Sequence, residues 1–113
     1  MPFLFLLSCM KTEEVLIGKW KIEAVVDKDR KALLPISSGD YMELTDKGIF
    51  TKILYDAEIE STGKWELKKK EIHFTQTSED SARTETLIKY KVEVLEVEKM
   101  VLSKGDTIYT FKK

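Results

Sequence analysis

The sequence predicts an all-β fold: eight short strands in an antiparallel up-and-down meander that closes into a barrel. Three observations carry this. From Ile17 onward apolar and polar residues alternate with a period of two, the pattern of strands with one buried face. After the first connection, none offers the dozen or so residues of a helical crossover between parallel strands. No long segment repeats its apolar residues with the 3.6 period of a helix. A meander of hairpins would present two exposed sheet edges, and closure removes them.

In the first strand Trp20, Ile22, Ala24 and Val26 alternate with Lys19, Lys21 and Glu23, so the first set is expected inside. Residues 28 to 40 form the longest irregular segment, broken by Pro35 and Gly39 yet holding Leu33, Leu34 and Ile36. Tyr41 to Thr45 and Ile49 to Tyr55 pair through Asp46-Lys47-Gly48, a sequence suited to a tight turn with positive φ. The fourth strand, Ile59 to Leu67, is interrupted by Gly63, which marks either a bulge or a close backbone approach. Lys68-Lys69-Lys70 makes a charged turn into Glu71 to Thr77, where Ile72 and Phe74 face one way and His73 and Thr75 the other. A polar loop, Gln76 to Glu85, is expected to be solvated. Thr86 to Val94 alternates Ile88, Tyr90, Val92 and Val94 against Lys89, Lys91 and Glu93; Met100 to Ser103 and Thr107 to Phe111 complete the eight, joined by Lys104-Gly105-Asp106.

A chain of 113 residues has room for one modest core, and 42% hydrophobic with 35% charged residues is a globular balance. The 19 basic and 20 acidic residues are interspersed, which argues against nucleic acid as a partner. Cys9 is the lone cysteine, so the chain has no internal disulfide and no cysteine-based zinc site. No phosphate-cradling glycine loop and no calcium-loop spacing of acidic residues occurs, and no cofactor is implied.

At the N-terminus, Phe3-Leu4-Phe5-Leu6-Leu7 runs into Ser8-Cys9, and the composition then turns polar at once. Leu6-Leu7-Ser8-Cys9 resembles a bacterial lipobox, in which the cysteine is lipidated and becomes the first residue after cleavage. The resemblance implies a truncated signal-like segment over residues 1–8, a lipidated Cys9 with a tether over residues 9–15, and the barrel over residues 16–113. It places the protein at the cell envelope, anchored to the outer membrane on its periplasmic or outer face. No Lys or Arg precedes Cys9, and the apolar run is shorter than a secretory signal needs, as a start codon set too far downstream would explain. The competing reading makes residues 3 to 7 an extra strand and Cys9 a buried thiol. Lys11-Thr12-Glu13-Glu14 resembles the acidic-rich signals of surface-exposed Bacteroidota lipoproteins.

Gly18-Lys19-Trp20 at the head of the first strand resembles the Gly-x-Trp motif of lipocalins and of small bacterial lipocalin-like lipoproteins. Gly63-Lys64-Trp65-Glu66-Leu67 is similar to the mid-chain Gly-x-Trp-x-Leu of the same bacterial proteins. Tyr90-Lys91-Val92 to Leu95, Met100-Val101-Leu102 and Tyr109-Thr110-Phe111-Lys112 resemble their last three strands, and Asp46-Lys47-Gly48-Ile49-Phe50 their first hairpin. The resemblance spans nearly all of residues 16 to 113 and implies structural roles at the barrel floor for Gly18, Trp20, Gly63 and Trp65. An indole of about 200 Å² buried there is worth on the order of 5 kcal/mol by area.

The chemistry on offer is sparse. His73, the single histidine, is expected to face solvent opposite Ile72 and Phe74, with no nucleophile placed near it. Lys68 to Lys70 are read as a solvated turn. Leu33, Leu34 and Ile36 are either a lid over the barrel mouth or a plug of its core end. Tyr41, Met42, Tyr55, Tyr90 and Met100 are candidates to line a pocket, or ordinary core. An eight-stranded barrel is just wide enough to be filled by its own side chains or to hold one small ligand. The leading expectation is a non-enzymatic binding module for a small hydrophobic or amphipathic ligand, held by Leu33, Leu34, Ile36, Tyr41, Tyr55 and Tyr90. The rival is a filled barrel whose loops, residues 28 to 40 and 76 to 85, contact a protein. An enzyme would need His73 turned inward beside Glu71 or Glu85.

Overall fold

Strands β1 (Gly18–Val26), β2 (Tyr41–Leu44), β3 (Ile49–Leu54), β4 (Ile59–Lys68), β5 (Glu71–Thr77), β6 (Glu85–Leu95), β7 (Lys99–Lys104) and β8 (Thr107–Lys112) pair in sequence order. They come from a computed structural model that describes residues 13–77 and 85–113. Every pairing is antiparallel, and β1 joins both β2 and β8, so the sheet closes into a barrel with no free edge. Cys9 and most of the polar loop expected over residues 76 to 85 lie outside the described residues.

The turns bear out their residue chemistry. Gly48 takes φ 79° in the β2–β3 hairpin, and Gly105 takes φ 59° between β7 and β8. One end of the barrel carries the β2–β3, β4–β5 and β6–β7 turns; the opposite end, the mouth, carries the long loop after β1 and the β3–β4 and β7–β8 turns.

Inward alternation builds one core from Trp20, Ile22, Met42, Leu44, Phe50, Leu54, Trp65, Ile72, Phe74, Tyr90, Met100, Leu102 and Phe111. Two bulges correct the simple alternation. The β1–β8 register shifts between Ile22 and Ala24, so Val25 enters the core in place of Ala24 and Val26. A second shift, between Val92 and Val94 in β6, sets Leu95 rather than Val94 against the core. Each bulge adds one residue to a strand and reverses the facing of those beyond it.

Gly63 is a close approach and not a bulge, because the register through Phe50↔Gly63 and Gly63↔Gln76 is unbroken. A Cβ placed there would lie 2.0 Å from the Thr75 carbonyl oxygen and 3.0 Å from the Phe50 ring. Phe50 thus fills the space that a side chain at residue 63 would need.

The floor is sealed from outside the strands. Residues 13–16 form a helical turn, so part of the segment expected as tether is folded against the barrel, and Leu16 is fully buried. The Trp20 indole N–H donates to the Leu16 carbonyl at 2.8 Å, and the Trp65 indole N–H donates to the Thr45 carbonyl at 3.0 Å. Lys113 Nζ donates to the Val15 carbonyl at 2.7 Å while lying 4.9 Å from the centroid of the Trp20 ring. Gly18 has φ 134°, and a Cβ there would stand 2.7 Å from the Lys113 side chain.

Candidate functional site

The mouth end of the interior is the candidate site, and its floor is built from aromatic residues. Phe50 meets Phe74 with ring centroids 4.8 Å apart, Phe74 meets Tyr90 at 5.4 Å, and Tyr90 meets Tyr109 at 5.2 Å, all edge to face. The four come from β3, β5, β6 and β8, so this chain of rings crosses the interior. Around it, Met42, Ile88 and Leu102 form apolar walls, and Lys52 and Gln76 add polar groups. The resulting cup contains about 360 Å³ of free space, solvent at the mouth included, spread thinly between side chains. A water can centre itself in only about 20 Å³ of it, close to the minimum for a single water. Below the mouth the barrel is therefore filled almost entirely by its own side chains.

Two groups in the cup are electrically perturbed. Burial, and then the neighbouring Tyr109 phenol, push the Tyr90 hydroxyl far above its ordinary pKa and keep it protonated. Burial, and then repulsion from the Lys104 ammonium, lower the pKa of Lys52. Lys52 shares the inward face of β3 with Phe50 and Leu54, both buried. Sequence reasoning missed both Lys52 and Gln76. Their signal is a polar residue at an inward position, Phe50-Lys52-Leu54 and Ile72-Phe74-Gln76.

Of the six residues expected to hold a ligand, Tyr90 lines the cup. Tyr41 is corrected to the outer surface: it stands opposite in facing to buried Met42, with Lys19 Nζ 4.2 Å from its ring centroid. Tyr55 is likewise outside, 58% exposed in the turn after β3. Met42 lines the cup and Met100 is fully buried in the core.

Leu33, Leu34 and Ile36 do not border the cup. The long loop runs as a wedge beside β1, where pairing with β2 ends at Lys21↔Tyr41. Beyond that point the Ile22 N–H donates to the Asp40 carbonyl at 3.0 Å and the Leu33 N–H to the Val25 carbonyl at 2.9 Å. Leu34 and Ile36 pack against the core as a plug, and Leu33 is exposed. Asp40, 1% exposed, pins the wedge: its carboxylate accepts from the Ser37 N–H at 2.9 Å, the Ser37 hydroxyl at 2.6 Å and the Tyr55 N–H at 2.8 Å. Asp27 performs a smaller version of this task, accepting from the N–H groups of Asp29 and Lys31.

His73 faces outward, in line with the alternation, and its Nε2 lies 3.0 Å from Glu71 Oε1. That hydrogen bond, opposed by desolvation, lowers the Glu71 pKa. Among the described residues no three His, Cys, Asp or Glu side chains are grouped to hold a metal ion, and no helix is long and apolar enough to cross a membrane.

The lipocalin-like domain family model matches residues 16–102. The chain belongs to this family. Among solved structures it is similar to a lipocalin-like protein from Bacteroides uniformis, at 22% identity and a TM-score of 0.68, covering 88% of this chain and 98% of that one. An uncharacterized protein from Bacteroides eggerthii is similar at 20% identity and a TM-score of 0.65, covering 87% and 98%. At such identities the shared property is the fold. No curated protein matches the chain. The cup occupies the open end of this lipocalin-like barrel.

Proposed function

We propose that this lipocalin-like protein is a non-enzymatic binding module whose barrel mouth receives the apolar part of a small hydrophobic or amphipathic molecule. The observation that carries this is the cup itself: a floor of edge-to-face aromatic rings, apolar walls and a few polar ends, at the open end of a closed barrel. Leu33, Leu34, Ile36, Tyr41 and Tyr55, outside the cup, are not part of this reading. The test is titration with the neutral fluorophore N-phenyl-1-naphthylamine. Saturable enhancement at one dye per protein is expected, with loss of most of the signal in Ile88→Trp, which fills the cup. Absence of saturable binding by the folded wild-type protein sinks the reading.

A filled interior favours a second reading. With about 20 Å³ open to a water centre, the exposed Leu33 and Tyr55 beside the mouth would then be contact points for a protein partner. A failed dye titration moves the weight to this alternative.

The envelope assignment is part of the same proposal: Leu6-Leu7-Ser8-Cys9 supports a lipid anchor on Cys9, and two or more acyl chains hold a protein stably on a membrane. Cells fed an alkyne-bearing fatty acid are expected to label the protein, with Cys9→Ser abolishing the label and releasing the protein from the membrane fraction. An unlabelled wild-type protein in the soluble fraction would refute the anchor.

A further inference from the structure

We propose that the cup is selective for an amphipathic anion, whose charged head sits between Lys52 and Lys104 while its apolar body rests on Phe74, Tyr90 and Tyr109. The inference rests on the cup being a binding site and adds the chemical class of what it takes.

Lys52 occupies a position where the barrel calls for an apolar residue. It lies between Phe50 and Leu54 on the inward face of β3, opposite Met42 on one side and Ser61 on the other. Lys52 lines the cup, where a lysine covers apolar surface with its stem. Lys104 ends the inward row of β7 after Met100 and Leu102, both buried, and its charge acts on Lys52. A second cation, at the mouth end of β7, is thus near enough for its charge to act on the lysine that lines the cup.

No described carboxylate neutralises them. The ion pairs among the described residues are Lys68 with Glu66, Lys91 with Glu93, and His73 with Glu71, all on the outer surface. Asp40 is committed to Ser37 and Tyr55. At the mouth, Asp56 and Glu58 in the β3–β4 turn and Asp106 in the β7–β8 turn pair with neither lysine. A partly buried ammonium beside a second one, over an apolar floor, is an unfavourable arrangement that a bound anion reverses. Gln76, on the same rim, supplies a neutral N–H donor for a second oxygen of the head. The shallowness of the cup limits the body to a few rings or a short chain.

Two dyes isolate the charge. Binding of 8-anilinonaphthalene-1-sulfonate is compared with that of N-phenyl-1-naphthylamine, the same ring system without the sulfonate, in the wild-type protein and in Lys52→Met, Lys104→Met and the outer-surface control Lys68→Met. The sulfonate is expected to bind the wild-type protein more tightly than the neutral dye and to weaken about tenfold or more in Lys52→Met, the loss of one charge-assisted contact. Lys104→Met should lose a smaller factor, the neutral dye should change far less than the sulfonate in Lys52→Met, and Lys68→Met should change neither dye. If Lys52→Met fails to fold, Lys104→Met carries the comparison. Equal binding of both dyes, unchanged in the lysine variants, overturns the anion preference and leaves the cup standing. Failure of both dyes on the wild-type protein overturns the cup and the anion preference together.

Discussion

Gly63→Ala is expected to destabilise the barrel by about 3 kcal/mol or more, placing it among the severe effects with a named steric cause. The added Cβ would stand 2.0 Å from the Thr75 carbonyl oxygen, which belongs to the backbone of the paired strand and cannot swing aside. It would also press on the Phe50 ring at 3.0 Å, the first member of the aromatic floor. Relief requires β4 and β5 to part where Gly63 faces Gln76, next to the Trp65↔Phe74 pair. In a domain of this size each kcal/mol moves the melting midpoint by roughly 4 °C, so a fall of about 12 °C or more is expected in a thermal melt. The same variant should lose the dye signal at the mouth even where it stays folded. A melting midpoint within about 2 °C of wild type, on the same scale, would show that the strands can separate cheaply and would remove Gly63 from any essential role.

Asp40→Ala is the second large effect. The carboxylate is the acceptor for two backbone N–H groups, of Ser37 and Tyr55, and for the Ser37 hydroxyl. Alanine strands the two N–H groups at a part-buried place, at about 1–3 kcal/mol each, or about 2–6 kcal/mol together. The loss should be largest at neutral pH. Burial pushes the Asp40 pKa up, but the Ser37 hydroxyl and the N–H groups of Ser37 and Tyr55 outweigh it and hold the carboxyl below its ordinary value. A depressed folded-state pKa means that the stabilisation is complete above the unfolded pKa, about 3.9 for aspartate, and is lost as pH falls through the folded value. Asp40→Asn carries no such titration, so the gap in denaturant midpoint between it and wild type should narrow below about pH 4. Parallel pH dependence of the two proteins down to the acid limit would exclude Asp40 as the source of acid sensitivity.

Both sites show how far the sequence could be read. Gly63 is visible in the sequence as an interruption of β4, where bulge and close approach are alternatives because either demands a missing side chain. Asp40 carried no signal, because an aspartate after Gly39 is ordinary loop chemistry until its three donors converge from residues as distant as Tyr55. Residue type does not separate pocket from surface among the tyrosines and methionines of these strands. Facing alone would have excluded one of them: Tyr41 and Met42 are consecutive in a strand and cannot both point inward. The same parity marks Lys52 and Gln76, two polar residues in inward rows.

The sequence by itself determined the class, the strand order and most of the inward faces, because hydrophobic alternation, turn residues and short connections are local properties, each written in a few neighbouring residues. Tertiary structure alone decided where Val25 and Leu95 face, since a one-residue bulge arises from pairing with another strand and leaves no mark in the alternation. It also decided that Leu34 and Ile36 plug the core end, and that the rings of Phe50, Phe74, Tyr90 and Tyr109 close the interior into a shallow cup. Those outcomes depend on the volumes of side chains brought together from distant strands, and volume is filled only when the barrel closes.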